Sequence, residues 1–225
     1  MSLRRTGPRR GATTDAVAPV PAARIDASQQ GGTAPRVPRV SRILLLYSSV
    51  YGHTRKIAEF IQADAAARSE VVDVRPLAQG AADADSYDAI VVGSSIRHGK
   101  HHAEVMEFVR AQQAVLASRP SAFFSVSLIA RKPARQTPET NQYVREFLAR
   151  SPWKPQLIGI FAGVLDYQRY RVFDRYAIRL IMKLTRGPTD LHTNVEFTDW
   201  DKVREFSRGV SALAAKRGVA ERHAD

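Results

Sequence analysis

A doubly wound α/β fold with five parallel strands is what this 225-residue sequence predicts. Three observations carry the expectation. Short, continuously apolar runs recur along the chain, as buried parallel strands require. Stretches with helical apolar spacing separate them, the alternation that covers a parallel sheet on both faces. The runs also break into polar loops, and in such sheets ligands sit beyond the C-terminal strand ends, where the winding reverses.

Taken in order, "RILLLYS" (42–48) is too short and too apolar for a surface strand and suits the sheet interior. The helix after it places Ile57, Phe60, Ile61 and Ala65 on one face. "EVVDVRP" (70–76) is a second strand, stopped by Pro76. "YDAIVVGSS" (87–95) is a third, followed by a helix with Val105, Phe108, Val109 and Leu116 at helical spacing. "SAFFSVSL" (121–128) is a fourth, and the next helix is expected to start with Thr137 as its cap and Pro138 at its first position. "QLIGIFAG" (156–163) is a fifth. A last helix carries Val203, Phe206, Val210 and Leu213 on one face, with Gly218 as its stop.

The first 40 residues differ from the rest. They are rich in Arg, Pro, Ala and Gly without apolar periodicity, cannot bury enough surface to offset chain entropy, and are expected to be disordered. The compact body is expected over 41–217, with a short tail at 218–225. Arg4-Arg5 and Arg9-Arg10 are followed by no apolar region, which argues against a secretory signal; Arg richness is shared with transit peptides, so targeting stays open. Seven arginines against Asp15 and Asp26 give the tail +5, leaving +7 of the overall +12 on the body. A basic body faces an anionic partner, whether lipid, nucleic acid or substrate, and charge alone does not choose. No cysteine is present, which excludes disulfides, thiolate metal sites and cysteine-held iron–sulfur clusters. No apolar run is long enough to span a bilayer as a helix.

"LLLYSSVYGHTRKIAEF" (44–60) carries the first candidate site. A strand ends in Ser48, Ser49, Val50, Tyr51, Gly52, His53 and Thr54, and a helix begins at once. Backbone N–H groups of such a turn, with hydroxyls beside them, cradle an anion without a positive side chain. The ending Gly-Lys-Ser/Thr of a nucleoside-triphosphate loop is absent. Two further polar loops lie at equivalent strand ends: "SSIRHGKHH" and "SLIARKPARQTPETN". His98, His101 and His102 cluster in the first, but no carboxylate or cysteine completes a metal set at a suitable spacing, and no metal is expected. Over 169–186, Arg171, Arg175, Arg179 and Lys183 form one basic stripe, with Phe173, Ala177, Leu180, Ile181 and Leu184 on the other side. Two readings stand for this helix: a core helix with a solvated basic face, or an amphipathic helix lying in the plane of an anionic membrane surface.

The 44–60 stretch resembles the flavin mononucleotide (FMN) phosphate loop of flavodoxin-like proteins, with Ser49, Gly52 and Thr54 matching and Tyr51 standing where a hydroxyl amino acid is usual. "YDAIVVGSSIRHGKHH", "PSAFFSVSLIARKPARQTPETNQYVREFL" and "GIFAGVLDYQRYRVFDRYAIRLIMKLT" resemble the menaquinone-dependent protoporphyrinogen IX dehydrogenases of haem synthesis. The likeness runs from about Arg42 to Leu213. It implies a flavodoxin-like sheet of order 2-1-3-4-5, with an amphipathic segment inserted at about 165–194. It implies FMN held by Ser48 to Thr54, with the ring flanked by Ser94, Ser95, Ile96 and Arg97 and by Ser127, Leu128 and Ala130. It further implies that protoporphyrinogen IX loses six electrons in three two-electron steps, with menaquinone or another quinone as acceptor. Arg131, Lys132, Arg171, Arg175, Arg179 and Lys183 are the residues expected to meet substrate or membrane. The location expected is cytoplasmic, peripheral on the inner membrane, with no nucleic-acid partner and room for a homo-oligomer. A flavodoxin-like electron carrier, or a quinone reductase with another substrate, is the alternative. The insertion departs from the family pattern at Asp166-Tyr167-Gln168 and at Arg186-Gly187-Pro188.

Overall fold

The computed structural model describes residues 40–222, and all but the last residue of the expected N-terminal tail lies outside them. Five parallel strands form the sheet: β1 (Arg42–Ser48), β2 (Val71–Pro76), β3 (Ala89–Arg97), β5 (Ser121–Val126) and β6 (Leu157–Phe161), ordered β2-β1-β3-β5-β6. Counted among themselves, these strands have the expected order. A two-residue β4 (Lys100–His101) turns back antiparallel on the end of β3.

The sheet is double-sided because its central strands are apolar on both faces. Ile43, Leu44, Leu45 and Leu46 are all at most 1% exposed. Successive side chains point to opposite faces. Ile43 and Leu45 meet α1 (His53–Ala66) and α6 (Trp200–Arg222) through Ile57, Ile61, Val203, Phe206 and Val210. Leu44 and Leu46 join Val105, Val109, Leu116 and Phe147 on the other side, from α2 (Ala103–Ala111), α3 (Gln113–Ser118) and α4 (Gln142–Arg150). Each such side chain contributes about 1.5–3 kcal/mol on burial. Gly93 is fixed by this packing: a Cβ there would lie 2.1 Å from Cζ of Phe124.

Four local expectations are corrected. The helix after β3 is two pieces, interrupted at Gln112 (φ −106°, ψ 21°). Thr137 is not a helix cap; residues 137–141 form a turn, and α4 starts at Gln142 because the Asn141 side chain accepts from the Val144 N–H. An Asx cap outcompetes the Thr-Pro signal here. The strands after the third and fourth helices are also shorter than expected, ending at Val126 and Phe161. Gly218 does not stop α6, which continues to Arg222 through helix-favouring Ala220, Glu221 and Arg222.

The insertion begins and ends in a small antiparallel pair, β7 (Val164–Asp166) with β8 (Asn194–Glu196), and carries α5 (Val172–Leu184). The core-helix reading of α5 is overturned. Only Asp174 and Met182 are buried on it, while Phe173 is 78% and Leu184 76% exposed, and Val172, Tyr176, Leu180 and Ile181 are exposed with them. The expected helix exists, but its apolar side faces outward.

Candidate functional site

Strand register brings the three polar loops to one level. Ser48 of β1 pairs with Ser94 of β3, and Ser94 with Ser125 of β5, so the chain leaves all three strands along one edge. The loops surround a cavity of about 690 Å³. Residues Ser49 to Thr54 form one wall, Ser95, Ile96 and Arg97 a second, and Ser127 with Leu128 a third.

The first wall has the features of an anion cradle. Gly52 has φ +84°, a left-handed conformation that glycine adopts without strain, and its N–H donates to Ser49 Oγ. α1 starts at the next residue with no side-chain cap and no acid in its first turn. Thr54 Oγ1 and Ser127 Oγ are both buried and have no hydrogen-bond partner in the protein. A buried hydroxyl without a partner costs about 1–3 kcal/mol, which a ligand's polar groups relieve. These residues fit a flavin phosphate and polar ring edge.

Three of the residues expected to hold the cofactor do not line the cavity. Ser48 Oγ donates to Glu104 Oε1 at 2.5 Å and lies 2.7 Å from His102 Nδ1. Ser94 is fully buried, its hydroxyl turned to the Ser95 carbonyl. Ala130 packs into a small core with Val144, Ile160 and Ala162. Their positions support the loops from behind.

The histidines separate into distinct roles. His101 sits against Ser125 Oγ at 2.9 Å and against the rings of Phe123 and Phe147; burial pushes its pKa down to about 3, so it is neutral. Burial also lowers His102. His98, in the left-handed region at φ +48°, reaches Asp174 of α5. Among the described residues, no group of three His, Cys, Asp or Glu is placed to hold a metal ion.

Sequence reasoning missed the fourth wall, which the insertion and α1 supply: Lys56, Asp166, Arg169, Tyr170, Ile178 and Glu196. Tyr170 meets Tyr51 edge-on at 5.0 Å, and burial pushes its hydroxyl up to about 12, so it stays protonated. Lys56 is held by Glu196 at 2.7 Å and lies over the Trp200 ring. Apart from Asp166, singled out as a departure from the family pattern, nothing in the linear pattern marked these residues, because their meeting depends on where a 30-residue insertion folds back.

The remaining expected residues lie outside the cavity. Arg131 is committed to the insertion, donating to Leu128 O and to Thr185 O and Oγ1. Lys132, Arg171, Arg179 and Lys183 are exposed, and Arg175 is half-buried with a contact to Gln168 O.

The fold and its three-loop cavity are those of a flavodoxin-like flavoprotein, and residues 44–192 match the family described as "Flavodoxin domain". Over 178 residues the chain is 40% identical to protoporphyrinogen IX dehydrogenase [quinone] of Escherichia coli (strain K12), covering 78% of this chain and 97% of that protein. It is 43% identical over 181 residues to the protein of the same name from Leishmania major, covering 76% and 75%. The chain belongs to this family of flavodoxin-like protoporphyrinogen IX dehydrogenases. Among solved structures, oxidised flavodoxin 2 from Bacillus cereus aligns over 78% of this chain and 99% of its own at 19% identity, with a TM-score of 0.45.

Proposed function

We propose that this chain binds FMN and oxidises protoporphyrinogen IX to protoporphyrin IX with a quinone, such as menaquinone, as electron acceptor. The observation that carries the reading is the pair of orphaned hydroxyls, Thr54 and Ser127, both in the lining of the three-loop cavity. Bound there, FMN supplies the two-electron redox chemistry. The protein's own part is placement and exclusion of water. The turn from Ser49 to Thr54 would hold the phosphate through backbone N–H groups and hydroxyls. Ser95 to Arg97 and Ser127 with Leu128 would flank the ring, meeting its polar edge with backbone groups. Tyr170 and Ile178 extend the cavity wall on the insertion side, where an apolar tetrapyrrole would lie against them.

The same reading places α5 on a membrane. Its exposed apolar face is flanked by Arg175, Arg179 and Lys183, a pairing that suits the interface of an anionic bilayer. A quinone dissolved in that bilayer would then be close to the cavity mouth. Among the described residues no helix is long and apolar enough to cross a membrane, so the association proposed is peripheral, at the cytoplasmic face of an inner membrane.

The deciding experiment is anaerobic. The purified protein, loaded with FMN, is mixed with protoporphyrinogen IX and a quinone, and porphyrin fluorescence is followed. Fluorescence is expected to rise only when protein and quinone are both present. A rate equal to that of the protein-free control would end the reading.

A further inference from the structure

The attachment of α5 to the rest of the molecule is uneven. Its apolar face is in water, and only two of its side chains are buried. One of these, Asp174, is a carboxylate whose side chain is 8% exposed. It accepts three hydrogen bonds: from Tyr51 Oη at 2.5 Å, His98 Nε2 at 2.9 Å and Arg97 Nη2 at 3.3 Å. Tyr51 belongs to the loop after β1, while Arg97 ends β3 and His98 opens the turn that follows it. The other end of the helix is tied at Thr185 by Arg131, from the loop after β5. Among the described residues, the polar contacts from this helix to the body therefore all go to the three cavity loops. The apolar contacts agree, since Met182 and Ile178 cluster with Tyr51 and Leu128.

We propose that Asp174 is a positioning residue that locks the first two cavity loops to α5, so that cofactor seating and the placement of this helix are one coupled event. An uncompensated carboxylate is costly to bury, and three donors from two loops are what keep it there. Removing the acceptor frees all three donors at once. Tyr51 would lose the bond that fixes its ring against Tyr170. His98 would lose the contact that offsets its left-handed backbone, a conformation that costs a non-glycine residue about 1–2 kcal/mol. Tyr51 and then His98 also hold the Asp174 carboxyl below the usual carboxylate range, so the acceptor is charged at neutral pH. Coupling is reciprocal: whatever steadies the loops steadies the helix, and a surface that seats the helix tightens the loops.

The test is hydrogen exchange on the full chain, comparing wild type with Asp174→Asn, first without flavin. The variant is expected to exchange about tenfold faster not only across 172–184 but also at the amides of 49–54 and 97–99, with β1 and α6 unchanged. Faster exchange confined to α5 would overturn the proposal, because a merely local anchor moves nothing else. Tyr51→Phe is the second variant, for use if Asp174→Asn does not fold; it should loosen 49–54 and α5 while leaving 97–99 tied. Loop amides at wild-type rates in that variant also overturn the proposal. A flavin arm deepens it and rests on the FMN reading: FMN should slow α5 exchange in wild type and not in Asp174→Asn. Failure of wild type to take up FMN counts against that reading alone, since the flavin-free arm decides the coupling without it.

Discussion

Helices α1 and α5 are of nearly equal length and both carry an apolar stripe, yet they use it in opposite ways. α1 turns Ile57, Ala58, Ile61 and Ala65 onto the sheet, where all four are buried. α5 turns Asp174 and Met182 inward and leaves Phe173, Leu180, Ile181 and Leu184 in water. The difference teaches that helical periodicity reports a stripe, not what the stripe faces. α1 follows a strand directly and has nowhere to go but across the sheet. α5 hangs from a hairpin beyond the sheet edge, where the anchors available are the polar donors of the cavity loops.

Substitutions on the two helices test this contrast most directly. The largest effect is expected for Ile61→Ala on α1, which opens a cavity under the sheet and should cost about 2–5 kcal/mol in urea unfolding. Next comes membrane binding: replacing Arg175, Arg179 and Lys183 together by Gln should weaken binding to anionic vesicles roughly a hundredfold, at about 1 kcal/mol per basic residue. Cosedimentation measures it, and binding equal to wild type would leave the stripe as a solvated face. In the cavity, Thr54→Ala removes an unpaired buried hydroxyl, so the flavin-free fold should be unharmed while FMN binding weakens about tenfold, read by fluorescence titration.

A smaller effect concerns pH. The folded pKa of Asp174 is depressed, so its stabilisation is fully present above the ordinary carboxylate value and is lost as pH falls through the depressed one. Tyr51, Arg97 and His98 are the titratable groups that face it. The stability gap between wild type and Asp174→Asn should accordingly be widest near neutrality and close on acidification below about pH 4. Thermal melts across pH 2–7 follow it. The smallest effect is expected for Leu180→Ala on α5. With its side chain already in water, unfolding should change by less than about 0.5 kcal/mol, whereas vesicle binding falls.

The sheet was legible because burial on two faces leaves a mark in every strand: four consecutive apolar residues at 43–46 have no other use. The cavity was legible where one local segment builds it, as at Ser49 to Thr54. Thr137 misled because Thr-Pro and Asn141 both offer a helix start, and only the folded loop shows which carbonyls and amides are free. Asp174 was hidden for a different reason. Its partner Tyr51 is 123 positions away, and a carboxylate in the first turn of a helix reads as an ordinary solvated acid until the two meet. Lys56 and Glu196, 140 positions apart, were missed likewise.

The hairpin that bounds the insertion has a consequence for how such a chain can change over time. Val164 lies opposite Glu196 and Asp166 opposite Asn194, so the chain departs and returns about 5 Å apart, one strand spacing. Topologically the segment between is a cassette. It can lengthen, shorten or be exchanged without rethreading any strand of the sheet, since a two-residue turn would close the same ends. The segment can therefore change in length without rewiring the sheet, provided Asp174 and the donors it meets at Tyr51, Arg97 and His98 change together.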